Sequence, residues 1–492
     1  MNEVTRRISF LVSLSRSFDL SFVGSLLRVV WRIIASVNAL SRRELRPRSF
    51  ERFERRLERF FRELARLLIE QTVNHLESSD RPTAIQWDGG RTLVAHRRFW
   101  RTMETRLGTI RYQRWVFQHE LPWVPSVAPL DLRLGLIGQR VSPGVAHKMG
   151  RLAADLPQQP ALQQLRERFG ITLSVEAYRR IVQHISIEIR FLHDRLAVDE
   201  LLRWIAEARQ STGKHEVLLL VGRDGVHVPM RQSWKEAGCA TLAVYDRNRK
   251  RLGTVYLGEM PQKNQVALTE RLTKVITEVL SGDCDHPLKL RYVTDAGGLP
   301  RSYFQKVLAK MKHPRTGEPL QWSWGVDFYH ACQYISLLAD TIFGVGTEEA
   351  QSWFRDQRHT LRHNQDGVKK ILASSAQKKR RHGLAGSLKD YQSGRGYLKR
   401  YRKFMDYADR QAAGDPIGSG VTEAGCKVIF NQRMKQSGMR WKRASGQWIV
   451  DLRTACRSGL WDKIWKYGLD DYRLLPDIQP AIPLPALTIP RI

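Results

Sequence analysis

The order of the apolar runs in residues 215–330 constrains the fold more than any other feature of the sequence. Three strand-like runs come first, and the turns between them are short: "EVLLLVGRDGVHV", "ATLAVYDRN" and "RLGTVYLGEM". The helical segment "NQVALTERLTKVITEVLSG" leads to a fourth strand, "LKLRYVTDAGG", and the helical "RSYFQKVLAKM" leads to a fifth, "WSWGVDFYHA". The three consecutive strands predict an antiparallel meander, and the later alternation predicts parallel strands added through helices. We therefore expect an α/β fold with a mixed five-stranded sheet.

Three acids lie at places where such a sheet would bring them together. Asp224 ends the first strand and Asp295 ends the fourth. The β-β-β-α-β-α-β order is that of a ribonuclease H-like sheet, in which these two strands are neighbours. Glu423 begins a predicted helix after the turn "GSG", where glycine permits a sharp bend and close backbone approach. Each acid alone has a structural interpretation, as a turn residue or as a partner of the helix dipole.

The order of the three acids is more specific than any one of them. Phosphoryl transfer at a two-metal site needs carboxylates around a pair of divalent ions. Mg²⁺ takes one or two carboxylates and keeps water and phosphate oxygens as its other ligands. The sequence therefore predicts that Asp224, Asp295 and Glu423 are catalytic and bind two Mg²⁺ or Mn²⁺ ions.

The charge of the chain indicates a polyanionic partner. The sequence has 81 Lys and Arg against 49 Asp and Glu, a net charge of +32. Such an excess is typical of proteins that replace counterions along a phosphate backbone. A membrane surface is the alternative, but the apolar stretch 20–40 carries Arg28 and Arg32 near its centre, and residues 1–18 lack a signal-peptide pattern. We expect no membrane association.

The cysteines argue against a zinc site or a disulfide framework. The five cysteines are far apart and form no CxxC pair. They predict a reducing cytoplasm, in which a DNA-bound protein would be associated with the nucleoid.

The patterns divide the chain into six regions. A helical N-terminal region (1–80) precedes a small sheet with helices (81–212), and together they predict a mainly helical DNA-binding region. Within residues 81–212, a helix that ends at Gly170 and a second helix capped by Ser174 fit either a helix-turn-helix DNA-binding motif or a plain helical pair. The remaining regions are the first part of the catalytic core (213–330), a basic all-helical insertion (331–413), the second part of the core with the third acid (414–470), and a proline-rich tail (471–492).

At these residues the sequence resembles the DDE transposases of bacterial insertion sequences, specifically the ISKra-type group related to Mutator-like elements. The resemblance covers roughly residues 100–455. The motifs that carry it are "GRDGVHV" (222–228), "YVTDAGG" (292–298), "DFYHA" (327–331), "GSGVTEAGCK" (418–427) and "KQSGMRWKRASGQWIVDLR" (435–453). Upstream cysteines of the kind that bind metal in such proteins are absent here, so no zinc site is carried over.

The resemblance implies roles for further residues. Asp327 and His330 match the Asp-x-x-His signature that follows the second aspartate, with a second-shell or DNA-contact role. Asp327 is also the rival of Asp295 for the second metal ligand, and His330 has the alternative of an ordinary core or surface histidine. Six cations would bind phosphates near the cleaved bond: Lys427, Arg433, Lys435, Arg440, Lys442 and Arg443. Trp441 would stack on an unpaired base, or else is a packed core indole.

The resemblance also implies an activity. An Mg²⁺-dependent transposase binds the terminal inverted repeats of its element in double-stranded DNA. It cuts there to leave a 3′-hydroxyl, and that hydroxyl attacks target DNA without a covalent protein–DNA intermediate. Pairing two DNA ends implies a homodimer or a larger assembly. Two alternatives remain. A ribonuclease H-like nuclease or resolvase without strand transfer would use the same acids, and a catalytically inactive DNA-binding regulator would have the same positive charge.

Overall fold

The computed structural model describes residues 20–42, 46–87, 90–138, 140–282, 288–384, 388–470 and 479–480. The chain divides into two units. One comprises Met1–Ile185 together with Lys466–Ile492, and the other comprises Ser186–Trp465. The division falls inside a long helix, and the acids predicted to bind metal all belong to the second unit.

The first unit begins with two helices, α1 (Leu20–Ser41) and α2 (Pro47–His75). The helix predicted from the "SFERFERRLERFF" pattern is confirmed as α2. Phe22 and Val29 of α1 pack against Leu67 of α2 in a small apolar cluster. Pairs of Glu and Arg four residues apart support the charged face of α2.

One helix among the described residues, Phe22–Ser41, is long and apolar enough to cross a membrane by length and composition. Core helices of globular proteins and signal sequences meet the same criterion. Arg28 and Arg32 lie within it. Residues 1–18, which we examined for a signal peptide, lie outside the described residues.

The small sheet predicted for residues 81–135 is confirmed. Its strands are β1 (Ala84–Trp87), β2 (Arg91–Thr105) and β3 (Gly108–Gln118), all antiparallel in the order β3-β2-β1. The two-residue strand Gln479–Pro480 extends the β1 edge. The rest of the proline-rich tail lies outside the described residues.

Four helices complete the first unit and lead out of it. They are α3 (Pro129–Arg133), α4 (Pro143–Asp155), α5 (Gln158–Phe169) and α6 (Val175–Arg209). Gly170 ends α5 with a left-handed φ of 67°, and the Ser174 hydroxyl accepts a hydrogen bond from Ala177 N at 3.1 Å. The predicted helix, glycine turn and capped helix are therefore confirmed, and their DNA-binding role stays a prediction.

The second unit contains the predicted five-stranded mixed sheet. Its elements run β4 (Leu218–Pro229), β5 (Trp234–Tyr245), β6 (Arg251–Glu259), α7 (Val266–Gly282), β7 (Lys289–Thr294), α8 (Gly298–Lys306) and β8 (Trp322–Val326). The strand order is β6-β5-β4-β7-β8. Strands β4, β5 and β6 pair antiparallel, and β7 and β8 add in parallel. The predicted meander and the adjacency of the first and fourth strands are confirmed.

Helices follow the last strand. They are α9 (Phe328–Phe343), α10 (Glu348–His363), α11 (Gly367–Arg381), α12 (Lys389–Tyr401), α13 (Tyr407–Ala412), α14 (Gly420–Cys426), α15 (Gln432–Met434), α16 (Arg443–Arg457) and α17 (Trp461–Asp470). A π-helical turn, Lys427–Asn431, joins α14 to α15. The segment "GQWIVDLRTACRSGLWDKIWKYGL" predicts a single helix; that prediction is wrong, because Gly459, with a φ of 70°, separates α16 from α17.

A buried carboxylate ties the segment before α14 to the sheet. The Asp415 side chain has no exposed surface, and it forms ion pairs with Arg249 (3.0 Å), Lys289 (3.0 Å) and Arg291 (2.7 Å). Burial alone would raise the pKa of Asp415, but the hydrogen bonds and charges of Lys289 and Arg291 lower it below the ordinary value. The chain that leads to Glu423 is thereby fixed to the start of β7.

Candidate active site

The register of the parallel strands places Asp224 beside Asp295. Gly222 of β4 pairs with Val293 of β7, and each aspartate lies two residues further along its own strand direction. Asp327 continues the row, because Thr294 pairs with Val326 of β8. Asp224 is a correction to the sequence analysis, which placed it at the end of the first strand: β4 continues past it to Pro229, because these residues keep pairing with β5. The parallel pairing with β7 nevertheless ends at Gly222, so Asp224 lies beside the carboxyl ends of β7 and β8, which Asp295 and Asp327 follow.

The environment of Asp224 shows that Asp295 and Glu423 are both near it. Its Oδ1 accepts a hydrogen bond from Gly225 N at 2.7 Å, and the Cys426 thiol lies 3.5 Å from its Oδ2. Burial raises the pKa of Asp224, and the negative charges of Asp295 and Glu423 raise it further against these two hydrogen bonds. The three predicted acids therefore interact electrostatically in one place.

Helix α12 supports the turn that carries Asp295. The Tyr397 hydroxyl donates to the Asp295 carbonyl at 2.9 Å, and the Tyr401 hydroxyl donates to the Ala296 carbonyl at 3.3 Å. Ala296 has a φ of 66°, which is uncommon for a residue other than glycine. Gly297 N donates to Asp295 Oδ1 at 2.9 Å. The two tyrosines therefore hold the turn that follows Asp295.

Helix α14 lies directly on strands β4 and β5, and glycine makes this approach possible. A Cβ at Gly222 would lie 1.9 Å from Thr422 Oγ1 and 3.0 Å from Thr241 Oγ1. The two threonine hydroxyls are 2.8 Å apart and share a hydrogen bond. Glu423, the next residue along α14, is exposed. The close contact therefore sets how far the Glu423 carboxylate lies from Asp224.

Asp327 positions the turn before Glu423. It is 1% exposed, and its Oδ1 caps α9 by accepting from His330 N at 2.6 Å. Its Oδ2 accepts from Ser419 N, and the Ser419 hydroxyl donates to Glu423 Oε1 at 2.9 Å. Both oxygens of Asp327 thus bind backbone amides, while Asp295 is half-buried. The Asp327 carboxylate is therefore engaged in holding two backbone segments together, and the metal-binding roles predicted for Asp295 and Asp327 stay predictions.

His330 belongs to an aromatic cluster beside the acids. Its ring meets Tyr334 and Tyr397 edge-on, with centroids 5.5 and 5.6 Å apart, and those two tyrosines stack at 3.8 Å. Tyr329 is 58% exposed next to it. The sequence singled out only the histidine. The tyrosines, Ser419 and Thr422 were missed, because no motif marks residues that meet only in the tertiary structure.

The predicted DNA-contact residues fall into two groups. The first group is accessible to solvent: Lys435 is half-buried, and four cations are exposed, namely Lys427, Arg440, Lys442 and Arg443. Arg433 is a correction, because it is 4% exposed and its guanidinium lies 5.4 Å from the Trp441 ring. Trp441 is partly buried against the core, with its Nε1 donating to the Met434 carbonyl at 3.0 Å. The packed-indole alternative describes it better than base stacking.

The donor chemistry of the three acids fits Mg²⁺ or Mn²⁺. Carboxylate oxygens are the ligands that these hard cations prefer, and one or two for each ion is usual. Within the described part of the chain, no group of three or more His, Cys, Asp and Glu side chains is arranged to hold a single ion.

Comparison with known proteins detects no similar family or protein: no protein-family model matches the chain, and no curated protein is detectably similar to it. The functional interpretation depends on the residues and their geometry.

Proposed function

We propose that this chain is a DDE transposase, with a ribonuclease H-like catalytic domain interrupted by a helical insertion (331–413) that comprises most of α9 and all of α10–α13. It would bind the terminal inverted repeats of its element and catalyse metal-dependent strand cleavage and strand transfer. The observation that carries the proposal is the placement of Asp224 on β4 beside Asp295, which follows β7, with Glu423 of α14 close enough for its charge to raise the pKa of Asp224. These acids come from parts of the chain 71 and 128 residues apart in the order that the sequence predicted.

Asp224, Asp295 and Glu423 would hold the divalent ions. Burial raises the pKa of Asp224, and repulsion from Asp295 and Glu423 raises it further. A divalent cation relieves that repulsion, so the site favours cations over its empty state. When bound, the ions would polarise the phosphate and lower the pKa of water. The chain's own part is to orient the three carboxylates, through the Asp327–Ser419 contacts at Glu423 and the Tyr397 contact at Asp295.

The charge distribution supports DNA as the substrate. The net charge of +32 suits a polyanion. Lys427, one helical turn beyond Glu423, is exposed. Cations around the acids would neutralise phosphates on either side of the cleaved bond. Pairing two DNA ends would require two active sites, one from each of two chains, in the same assembly. We therefore propose a homodimer or a larger assembly on DNA.

Cleavage and strand transfer test the proposal directly. Purified protein would receive labelled DNA from the borders of its gene with Mg²⁺, beside the Glu423→Gln variant and the control Glu270→Gln, whose carboxylate is exposed on α7. Cuts at the repeat ends with joined products, lost only in Glu423→Gln, would support a transposase. Cuts without joining would indicate a nuclease or resolvase. Binding without cuts in all three proteins would indicate a DNA-binding regulator.

A further inference from the structure

The tip of the β4–β5 hairpin carries exposed cations and an exposed indole that the site described above does not use. Every residue from Arg231 to Glu236 is exposed. The Trp234 side chain is 55% exposed, and Lys435 Nζ lies 6.0 Å from its ring centroid. Arg440 and Lys442 are exposed on the loop that approaches the tip. We call this surface the hairpin-tip patch: Arg231, Trp234, Lys235, Lys435, Arg440 and Lys442.

Trp441 joins the two halves of the hairpin-tip patch into one surface. Its backbone N donates to the Pro229 carbonyl at 3.0 Å, and its carbonyl accepts from Arg231 N at 3.1 Å. Its ring packs on the core beneath, together with Met230. The hairpin and the 435–443 loop are therefore held in a fixed relation, which is the condition for several weak contacts to act on one ligand.

The hairpin-tip patch has no anion of its own. None of its five cations forms an ion pair with an acid in the part of the chain that the structure describes. The one acid between Arg231 and Glu236 at the tip is Glu236 itself, which accepts from Gln265 Nε2 at 2.5 Å. Like charges held near one another repel, and a polyanion removes that repulsion while its counterions are released. An exposed aromatic ring among cations is the combination that binds a nucleic-acid strand.

The distance to the acids fits one DNA molecule that reaches both. Asp224 and Pro229 lie on the same strand, five residues apart, which corresponds to roughly 17 Å at the usual rise of a β-strand. With a rise of 3.4 Å for each nucleotide of a duplex strand, that length is about five base pairs.

We infer that the hairpin-tip patch binds the DNA about five base pairs from the cleaved bond, with its cations on phosphates and Trp234 stacked on a base. The inference rests on the proposed function, because the distance is counted from its acids. Trp234 takes the stacking role that the sequence suggested for Trp441. Trp441 is packed against the core and holds the hairpin to the 435–443 loop, whereas Trp234 is exposed.

The salt dependence of binding tests the cations. Affinity for a border duplex would be measured without divalent ions, for wild type, for Arg231→Ala/Lys235→Ala, and for the control Lys274→Ala/Lys310→Ala on exposed sites elsewhere. Alanine keeps the backbone bond between residue 231 and Trp441. Losing two phosphate contacts lowers the slope of log affinity against log salt by about 1.8. The control should keep the wild-type slope.

Fluorescence tests the indole. 2-Aminopurine would be placed singly at positions one to eight from the cleaved bond. We expect the largest response of its fluorescence to protein near position five, lost in Trp234→Ala and retained in Trp234→Phe. Stacking on one base corresponds to about a 5- to 150-fold loss of affinity in Trp234→Ala.

The outcomes separate this inference from the proposed function. If wild type cuts the border DNA but the hairpin variants keep its salt slope and its fluorescence profile, the hairpin-tip patch is refuted and the transposase proposal stands. If wild type binds no DNA at any salt concentration, both are refuted. A lower slope in both double variants would also overturn the inference, because the effect would then be one of net charge alone.

Discussion

Gly222→Ala should disable the candidate active site without touching any of its acids. The added Cβ would lie 1.9 Å from Thr422 Oγ1, whereas ordinary contact begins at 3.4 Å. Either the Thr422 side chain rotates and loses its hydrogen bond to Thr241, with its Cβ still 3.2 Å from the new atom, or α14 or β4 moves by about 1.5 Å; the tight packing of both elements favours the movement. Glu423 follows Thr422 directly and moves with it. A misplacement of about 1 Å in a catalytic group costs on the order of 100-fold in rate, so we expect about that loss of Mg²⁺-dependent cleavage.

A second substitution shows whether the clash is the cause. Thr422→Ala removes the clashing oxygen, and the nearest remaining atoms to the new Cβ would be Thr241 Oγ1 at 3.0 Å and Thr422 Cβ at 3.2 Å. The double variant should therefore regain cleavage to within about tenfold of Thr422→Ala alone. The matched control is Gly396→Ala on α12, where an added Cβ meets no atom within 4 Å.

The assay is single-turnover cleavage of labelled border DNA over a range of Mg²⁺ concentrations, with thermal unfolding measured beside it. Overpacking also costs about 1–3 kcal/mol of stability, so the melting temperature of Gly222→Ala should fall while the protein stays folded at the assay temperature. Wild-type cleavage by folded Gly222→Ala would refute the reasoning that close packing of α14 positions Glu423. Failure of Thr422→Ala to restore cleavage would show that the clash lies elsewhere.

Three further predictions concern the supports of the site. Ser419→Ala removes the hydroxyl that donates to Glu423. It should raise the half-saturating Mg²⁺ concentration for cleavage roughly fivefold with DNA affinity unchanged, and Ser419→Thr should keep the wild-type value. Identical Mg²⁺ titrations of Ser419→Ala and wild type would contradict this. Tyr397→Phe loses the 2.9 Å bond to the Asp295 carbonyl, and cleavage should fall several-fold with an unchanged fold by circular dichroism. Asp415→Asn leaves three cations without their counter-charge and should cost about 3 kcal/mol in denaturant unfolding. The pKa of Asp415 is lowered in the folded state from 3.8, so its stabilisation is present above pH 3.8 and is lost as the pH falls further; an equal stability difference between the two proteins at pH 3 and pH 7 would refute that assignment.

The sequence predicted the sheet well because its signals are local. Strand-like apolar runs such as "LLLV" in β4 have both faces buried in the structure, and their order with helices between them restricts the possible connections. The same order placed Asp224 beside Asp295, because β4 and β7 are parallel neighbours whose pairing ends two residues before each aspartate. The prediction that Asp224 ends its strand was wrong, since β4 continues along β5 to Pro229. The prediction of one continuous helix was wrong at Gly459, but the glycine that ends the first helix is itself part of that segment of sequence.

The predictions for single side chains were weaker because exposure depends on distant residues. Arg433 and Arg440 look alike in the sequence, yet one is buried beneath Trp441 and the other is exposed. Trp441 and Trp234 are likewise both possible stacking residues until the hairpin and the 435–443 loop meet. Charge and residue type are properties of the sequence, but the solvent-accessible surface of a side chain is a property of the packing around it.

The sequence by itself determined that three acids follow two strands and a glycine turn, on a strongly basic chain with a mixed sheet. Only the tertiary structure decided which aspartate binds backbone amides, as Asp327 does, and which keeps its side chain partly accessible to solvent, as Asp295 does. Asp295 and Asp327 occupy equivalent ends of adjacent strands, but the amide of Ser419, 92 residues after Asp327, reaches only the latter. The physical reason is that hydrogen-bond partners and close contacts such as Gly222 with Thr422 form between segments that are distant along the chain, and nothing local in either segment encodes their meeting.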